Sequence, residues 1–217
     1  MIENKDPSAT KRLPMRLYPL NKKKTLPQKQ ALSAIGQPLV MEIYSLALAK
    51  VELRGAQVLL TAGDMRDPLR RKNLQNTMRE LLQWKVVPIL NENDAVATEE
   101  IKFGDNDSLS AQIACMLNAQ RLVILTDVEG LYDADPKKKA SAQLLSHVEK
   151  VLPRHLALVD KKTTSQTGTG GMYSKILAAK KATEKGIVTH LVRGDQPRNL
   201  LRIAAGEDLG TRIGRKL

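Results

Sequence analysis

The sequence predicts an α/β fold with a mainly parallel sheet sandwiched by helices. Short apolar runs at 56–60, 86–90, 122–125 and 187–192 alternate with longer stretches whose apolar residues recur three and four positions apart. Alternation of this kind builds crossover units and a parallel sheet. Strings rich in Asn, Asp and Gly follow directly on two of these runs, and ligands in such folds bind beyond the carboxyl ends of strands. The chain has 217 residues, 42% of them apolar, which suits one domain with a real core. Aromatic residues are only 3%, so Leu, Ile, Val and Ala must fill that core.

Residues 1–27 stand apart as a basic arm carrying Pro7, Pro14, Pro19 and Pro27. Within the arm, Met15-Arg16-Leu17-Tyr18 could supply a short edge strand. The domain proper runs over 28–217. Leu32, Ile35, Leu39, Ile43 and Leu46 predict a long amphipathic helix, with a kink or break at Pro38. A strand at 56–60 and a helix carrying Leu74, Met78 and Leu81 come next. The strand at 86–90 contains Pro88, which implies a position whose N–H is not needed. A helix carrying Leu109, Ile113 and Met116 precedes 122–125, whose unbroken apolar character predicts a strand covered on both faces. A helix through Ile176, Ala179 and Ala182 should end at Gly186. The strand at 187–192, a short helix at 200–205 and a polar tail complete the chain.

Composition narrows the function. No uninterrupted apolar run approaches the length of a membrane span, and the N-terminus lacks a signal-like apolar stretch. A cytoplasmic protein is expected, with no membrane partner. Cys115 is the single cysteine, which excludes an intrachain disulfide and a cysteine zinc site and predicts a buried, inert thiol. The formal charge of +12 favours anionic ligands. Its lysines are scattered and base-stacking aromatics are scarce, so nucleic acid is not expected as a partner.

Three strings carry chemistry. Gly168-Thr169-Gly170-Gly171-Met172-Tyr173-Ser174-Lys175 opens a helical pattern. Its glycines let backbone N–H groups close on phosphate oxygens, and the helix presents its positive end to the same anion. It is neither a Walker A loop nor Gly-x-Gly-x-x-Gly. Asn91-Glu92-Asn93-Asp94, continuing to Gly104-Asp105-Asn106-Asp107, supplies amides and carboxylates able to read an amino acid's charged groups, orient lysines or meet a magnesium ion. The same residues could simply form a polar turn, and Asp107 could serve as an N-cap. Thr126-Asp127 sits where a strand end would touch a nucleotide, or where an ordinary βα connection turns.

In this order and wording, the strings resemble the glutamate 5-kinases of the amino-acid kinase family. The likeness runs from about Leu26 to Gly194 and includes 28–37, Gln57-Val58-Leu59-Leu60-Thr61 and Val87-Pro88-Ile89-Leu90. The resemblance implies that Asp94 and Asn106 hold glutamate. It implies that Thr126, Asp127, Thr169, Gly170, Gly171, Met172, Tyr173, Ser174 and Lys175 contact ATP, and that Asp107 orients phosphate-binding lysines. Asp107 and Lys175 are the expected catalytic pair. ATP and Mg²⁺ are the expected cofactors, with L-glutamate as substrate and a homo-oligomer as assembly. Before Leu26 there is no counterpart of the family's lysine-bearing first strand, nor of its Ser-Gly-type substrate loop. The domain is thus expected to be incomplete at its N-terminal side, with an unpaired sheet edge. Two readings stay open: an active kinase, or an impaired relative that binds nucleotide or a full-length partner.

Overall fold

The structure, a computed structural model, describes residues 24–97, 106–136, 139–159 and 171–215. Most of the arm, including Met15 to Tyr18, lies outside the described residues, as do Gly104, Asp105, Thr169 and Gly170.

Helix α1 (Leu26–Ala49) opens with a capping box. Gln28 N donates to Thr25 Oγ1 at 3.4 Å and Thr25 N donates to Gln28 Oε1 at 3.0 Å. The helix runs unbroken through Pro38, contrary to the expected break. Proline there removes a hydrogen bond to the carbonyl of Ala34, but Ala34 and Pro38 are both exposed, so water can satisfy that carbonyl. By length and composition this one helix could also cross a membrane, with a mean hydropathy of 1.3, so the expected lack of such a segment holds only for uninterrupted apolar runs.

Strand β1 (Arg54–Leu60) is followed by α2 (Ala62–Arg66), α3 (Pro68–Gln83) and β2 (Val86–Glu92). β1 and β2 pair in parallel, from Arg54 opposite Val86 to Leu60 opposite Glu92. Among the described residues β2 pairs only with β1, so Pro88 sits on an edge strand there, where a missing donor costs little. Helix α4 (Asn106–Leu117) then leads to β3 (Arg121–Thr126). Two short elements, β4 (His147–Val148) and α5 (Pro153–Ala157), precede α6 (Met172–Thr183) and β5 (Val188–Arg193). Gly186, at φ 77°, turns the chain out of α6 as expected. Helix α7 (Asn199–Ala204) and β6 (Thr211–Ile213) end the order. The polar tail expected after 205 is therefore a buried strand in part.

Among the described residues the strands form two sheets rather than one: β1-β2, and β3-β5-β6-β4. All pairs are parallel except β5 with β6. Helix α4 joins the two sheets by burying both of its sides. Leu109 and Ile113 pack with Leu60, Met65, Leu74 and Met78 beside the first sheet. Ala111 and Ala114 pack with Ile124, Ile176, Ala179 and Leu191 beside the second. β5 is the covered strand, buried at five of its six positions. β3 is an edge strand whose alternate residues face out, with Leu125 47% exposed, so it is not covered on both faces.

Candidate active site

The site assembles at the carboxyl ends of β2 and β3 and at the first turns of α4 and α6. Asn91 closes β2. Its Oδ1 accepts from Glu92 N at 3.0 Å and from Asn106 Nδ2 at 3.1 Å. Asn106 is the first residue of α4, so Asp107 lies inside the first turn rather than at the N-cap. A carboxylate there is favoured by the helix dipole.

Asp107 is the hub. Lys175 Nζ lies 3.0 Å from its Oδ2 and 3.3 Å from its Oδ1, and Ser174 Oγ donates to Oδ2 at 2.8 Å. Both charged side chains are only 14% exposed, which strengthens the pair relative to a surface contact. Lys175 and Ser174 belong to the first turn of α6, whose N-cap, Gly171, makes no side-chain cap hydrogen bond. First-turn N–H groups with no capping side chain are suited to an anion. Met172 and Tyr173 flank this turn, both half-buried.

Thr126 and Asp127 lie at the end of β3, with Thr126 Oγ1 3.2 Å from Asp127 Oδ1. Thr126 is buried and Asp127 exposed. The following turn is clasped to β6, because Leu131 N donates to Thr211 Oγ1 at 2.8 Å. Thr169 and Gly170 lie outside the description.

Asp94 enters the site through α1. Ser33 Oγ lies 3.4 Å from Asp94 Oδ2, and one helical turn later Gln37 Oε1 accepts from Asn91 Nδ2 at 2.9 Å. Gln30 Nε2 donates to Ala97 O at 3.2 Å on the same face. Sequence reasoning missed Ser33 and Gln37 as orienting residues, and passed over Asn91 as a link. The available signal was polar residues on the helix face opposite its apolar stripe. The side chains form three clusters, Ser33 with Asp94, Gln37 with Asn91 and Asn106, and Asp107 with Ser174 and Lys175; α1 carries Ser33 and Gln37 one turn apart, and Asn106 and Asp107 are consecutive in α4.

Two ionisable groups near the site are shifted. In the first turn of α2, Asp64 is held below the ordinary carboxylate range, chiefly by the Thr61 hydroxyl, with Arg70 assisting. Cys115, on the far side of α4, is half-buried rather than buried, and burial raises its thiol pKa against the opposing pull of Lys181 and Lys185. Among the described residues no three acidic, His or Cys side chains cluster to hold a metal ion.

These features define the class through the fold: a kinase-type α/β sandwich. The chain superposes on UMP kinase from Ureaplasma parvum with a TM-score of 0.57 at 15% identity, covering 86% of this chain and 71% of that one. It superposes on the isopentenyl phosphate kinase product complex of T. acidophilum with a TM-score of 0.59 at 19% identity, covering 86% and 70%. The sequence model described as "Amino acid kinase family" matches residues 3–193. The chain belongs to the amino acid kinase family. It is 45% identical over 190 residues to the glutamate 5-kinase of Meiothermus ruber, covering 88% of this chain and 50% of the relative. It is 48% identical over 193 residues to that of Dictyoglomus thermophilum, covering 88% and 51%. The chain therefore spans about half the length of the curated relatives it matches.

Proposed function

We propose that this chain carries the site for ATP-dependent phosphorylation of the glutamate side-chain carboxylate, giving glutamyl 5-phosphate, the first step of proline biosynthesis. The observation that supports it is the Asp107–Lys175 pair. Through it the amide-rich loop after β2 and the glycine-led turn of α6 share one site. Asn106 and Asp94 bind the amino acid. Thr126 and Asp127 bound the nucleotide, and Thr169 to Ser174 line its phosphates with backbone N–H groups.

The chemistry asks little covalent work of the protein. A glutamate carboxylate is ionised near neutral pH, its usual pKa being about 4.3, so no general base is needed. A carboxylate oxygen forms a bond to the γ-phosphorus while the bond to the ADP oxygen breaks. Catalysis is alignment plus stabilisation of charge on the moving phosphoryl group. Lys175 is the cation placed for this, and Asp107 with Ser174 fixes its ammonium. The donor set fits a magnesium ion carried by the nucleotide: Asp107 is already engaged by Lys175, and magnesium commonly keeps waters and phosphate oxygens as ligands. When bound, Mg²⁺ supplies further neutralisation of phosphate charge. The cytoplasm, where ATP and glutamate meet, is the expected location.

A second reading, binding without turnover, is favoured by one observation. Among the described residues, Lys175 is the cation hydrogen-bonded within the cluster. Trapping of the acyl phosphate as a hydroxamate with ATP, Mg²⁺ and glutamate tests the first reading, and a no-enzyme level of product refutes it for this chain. Calorimetric binding of ATP without hydroxamate supports the second reading.

A further inference from the structure

Residues of α3, α4 and α6 line a cavity of about 560 Å³. Its walls carry Arg71 and Lys72 from α3, Lys181 from the last turn of α6, and Lys185 just past the end of that helix. Among the described residues no acidic side chain lines it. Half-buried Gln75, Gln112 and Cys115 lie between the cations. Gln75 Nε2 donates to Met116 O at 2.6 Å, which anchors that amide across α3 and α4. Burial raises the Cys115 thiol pKa while Lys181 and Lys185 pull it down, so both ammonium groups act on the same wall. The cavity is separate from the candidate active site. Cys115 lies eight residues beyond Asp107 in α4, about 12 Å along the axis, and Lys181 lies six beyond Lys175 in α6, about 9 Å.

Cations on the same helices but outside the cavity are neutralised. Arg70 pairs with Asp64 at 3.0 Å, and Lys180 with Glu184 at 3.9 Å. Among the described residues none of the four cavity cations forms an ion pair. Their positions also work against the fold. Arg71 and Lys72 lie near the positive end of α3, whose first turn holds no acid. Its N-cap carboxylate, Asp67, is engaged by the backbone N–H of Arg70 at 2.8 Å. Lys181 and Lys185 place two like charges four residues apart at the end of α6. Four unpaired cations around one concavity repel one another, and a bound anion removes that repulsion.

We propose that this cavity binds a compact anion carrying two or more phosphate groups. Arg71 offers a planar fork that fits phosphate oxygens, and the three lysines supply point charges around it. A single phosphate or carboxylate would leave most of this charge unbalanced. The volume falls within the roughly 300–1,000 Å³ of small-ligand sites. No aromatic side chain lines the cavity among the described residues, so nothing there stacks a base, and a nucleic acid strand is not the ligand the walls fit. Binding here is independent of whether the active site turns over glutamate.

Cys115 is the single thiol of the chain, so its labelling reads the cavity directly. Neutral dithiodipyridine is the reagent, because its rate does not respond to screening of charge. Inorganic tripolyphosphate, at ionic strength matched with sodium chloride, should slow the labelling saturably, by roughly fivefold or more. The double variant Arg71→Ala/Lys181→Ala should lose that protection, with far-UV circular dichroism unchanged because both side chains are exposed. Lys175→Ala should keep it, which separates this cavity from the kinase site. Calorimetry gives a second reading that does not depend on the thiol. In the Lys175→Ala background tripolyphosphate should bind once per chain, and about tenfold or more weakly when Lys181→Glu is added. Absence of both protection and binding heat overturns the proposal. Protection that is equal in the wild type and the double variant, or lost in Lys175→Ala, also overturns it. So does protection by a single-stranded oligonucleotide at a lower phosphate concentration than tripolyphosphate, in favour of nucleic acid.

Discussion

At the scale of single residues, the account rests on Lys175 and its anchors. Lys175→Ala removes the cation proposed to face the phosphates and should raise the barrier by about 3–4 kcal/mol, as loss of one charge-stabilising donor does elsewhere. Lys180→Ala, five residues along and 43% exposed, should leave the rate within a factor of two or so of wild type. Steady-state rates of the two variants check this, and equal losses would show that the α6 turn does not face the phosphates. Asp107→Ala strands Lys175, while Ser174 Oγ keeps the Gly171 carbonyl as acceptor at 2.8 Å. It should cost roughly 1–3 kcal/mol of stability in urea unfolding as well as activity. Asn106→Ala should weaken glutamate more than ATP in calorimetry. The reverse order would move the amino-acid pocket elsewhere. Asp107 also shows what a sequence conceals: its type and spacing marked it for the site, but its place inside the first turn depends on where the chain begins to coil.

At the scale of elements, α1 was the most misleading segment. Its apolar period is regular, and regular periods ordinarily face a core. Here the polar side is held by Asn91, Asp94 and Ala97, contacts separated from it by more than fifty residues in sequence. Nothing local to the helix reveals them. β3 misled for a related reason. Its run of Leu, Val and Ile suits a central strand, yet that place is taken by β5, which pairs with β3 on one side and β6 on the other. β6 is short and its sequence, Thr211-Arg212-Ile213, carries almost no strand signal; only long-range pairing makes it one. Two glycines hold this corner. A side chain at Gly210 (φ 63°) would collide with the carbonyls of Leu191 and Glu129, and one at Gly130 would lie 2.6 Å from Thr211 Oγ1. Gly210→Ala should therefore cost roughly 2–4 kcal/mol. Gly186→Ala has a positive φ but open space and should cost about 1 kcal/mol. Urea midpoints that place the two variants level would contradict the clasp.

At the scale of the whole molecule, stability should fall in mild acid. Burial lowers the pKa of His155 and of His190 below their usual 6.5. Arg154 adds to the effect at His155; Arg121 and Arg212 add to it at His190, against a hydrogen bond that the ring donates to the Leu209 carbonyl and the charge of Asp208. Both rings are thus neutral in the folded chain where the unfolded chain already binds protons. Stability is complete above about pH 6.5 and declines as pH drops below it. Urea midpoints at pH 7.5 and 5.5 check the sign, and His190→Asn should flatten the slope. The fold class was legible because crossover alternation is a local pattern repeated along the chain. The division into two sheets was not, because it depends on α4 burying both its sides. The candidate site was legible in its residue types and order, which is the level at which the family likeness also acts. The most direct measurement is calorimetric titration of Mg-ATP into the wild-type chain and Lys175→Ala. The account predicts one nucleotide bound per chain by the wild type, and binding weakened at least tenfold or abolished in the variant. Equal affinity in both, or no heat from the wild type, would contradict it.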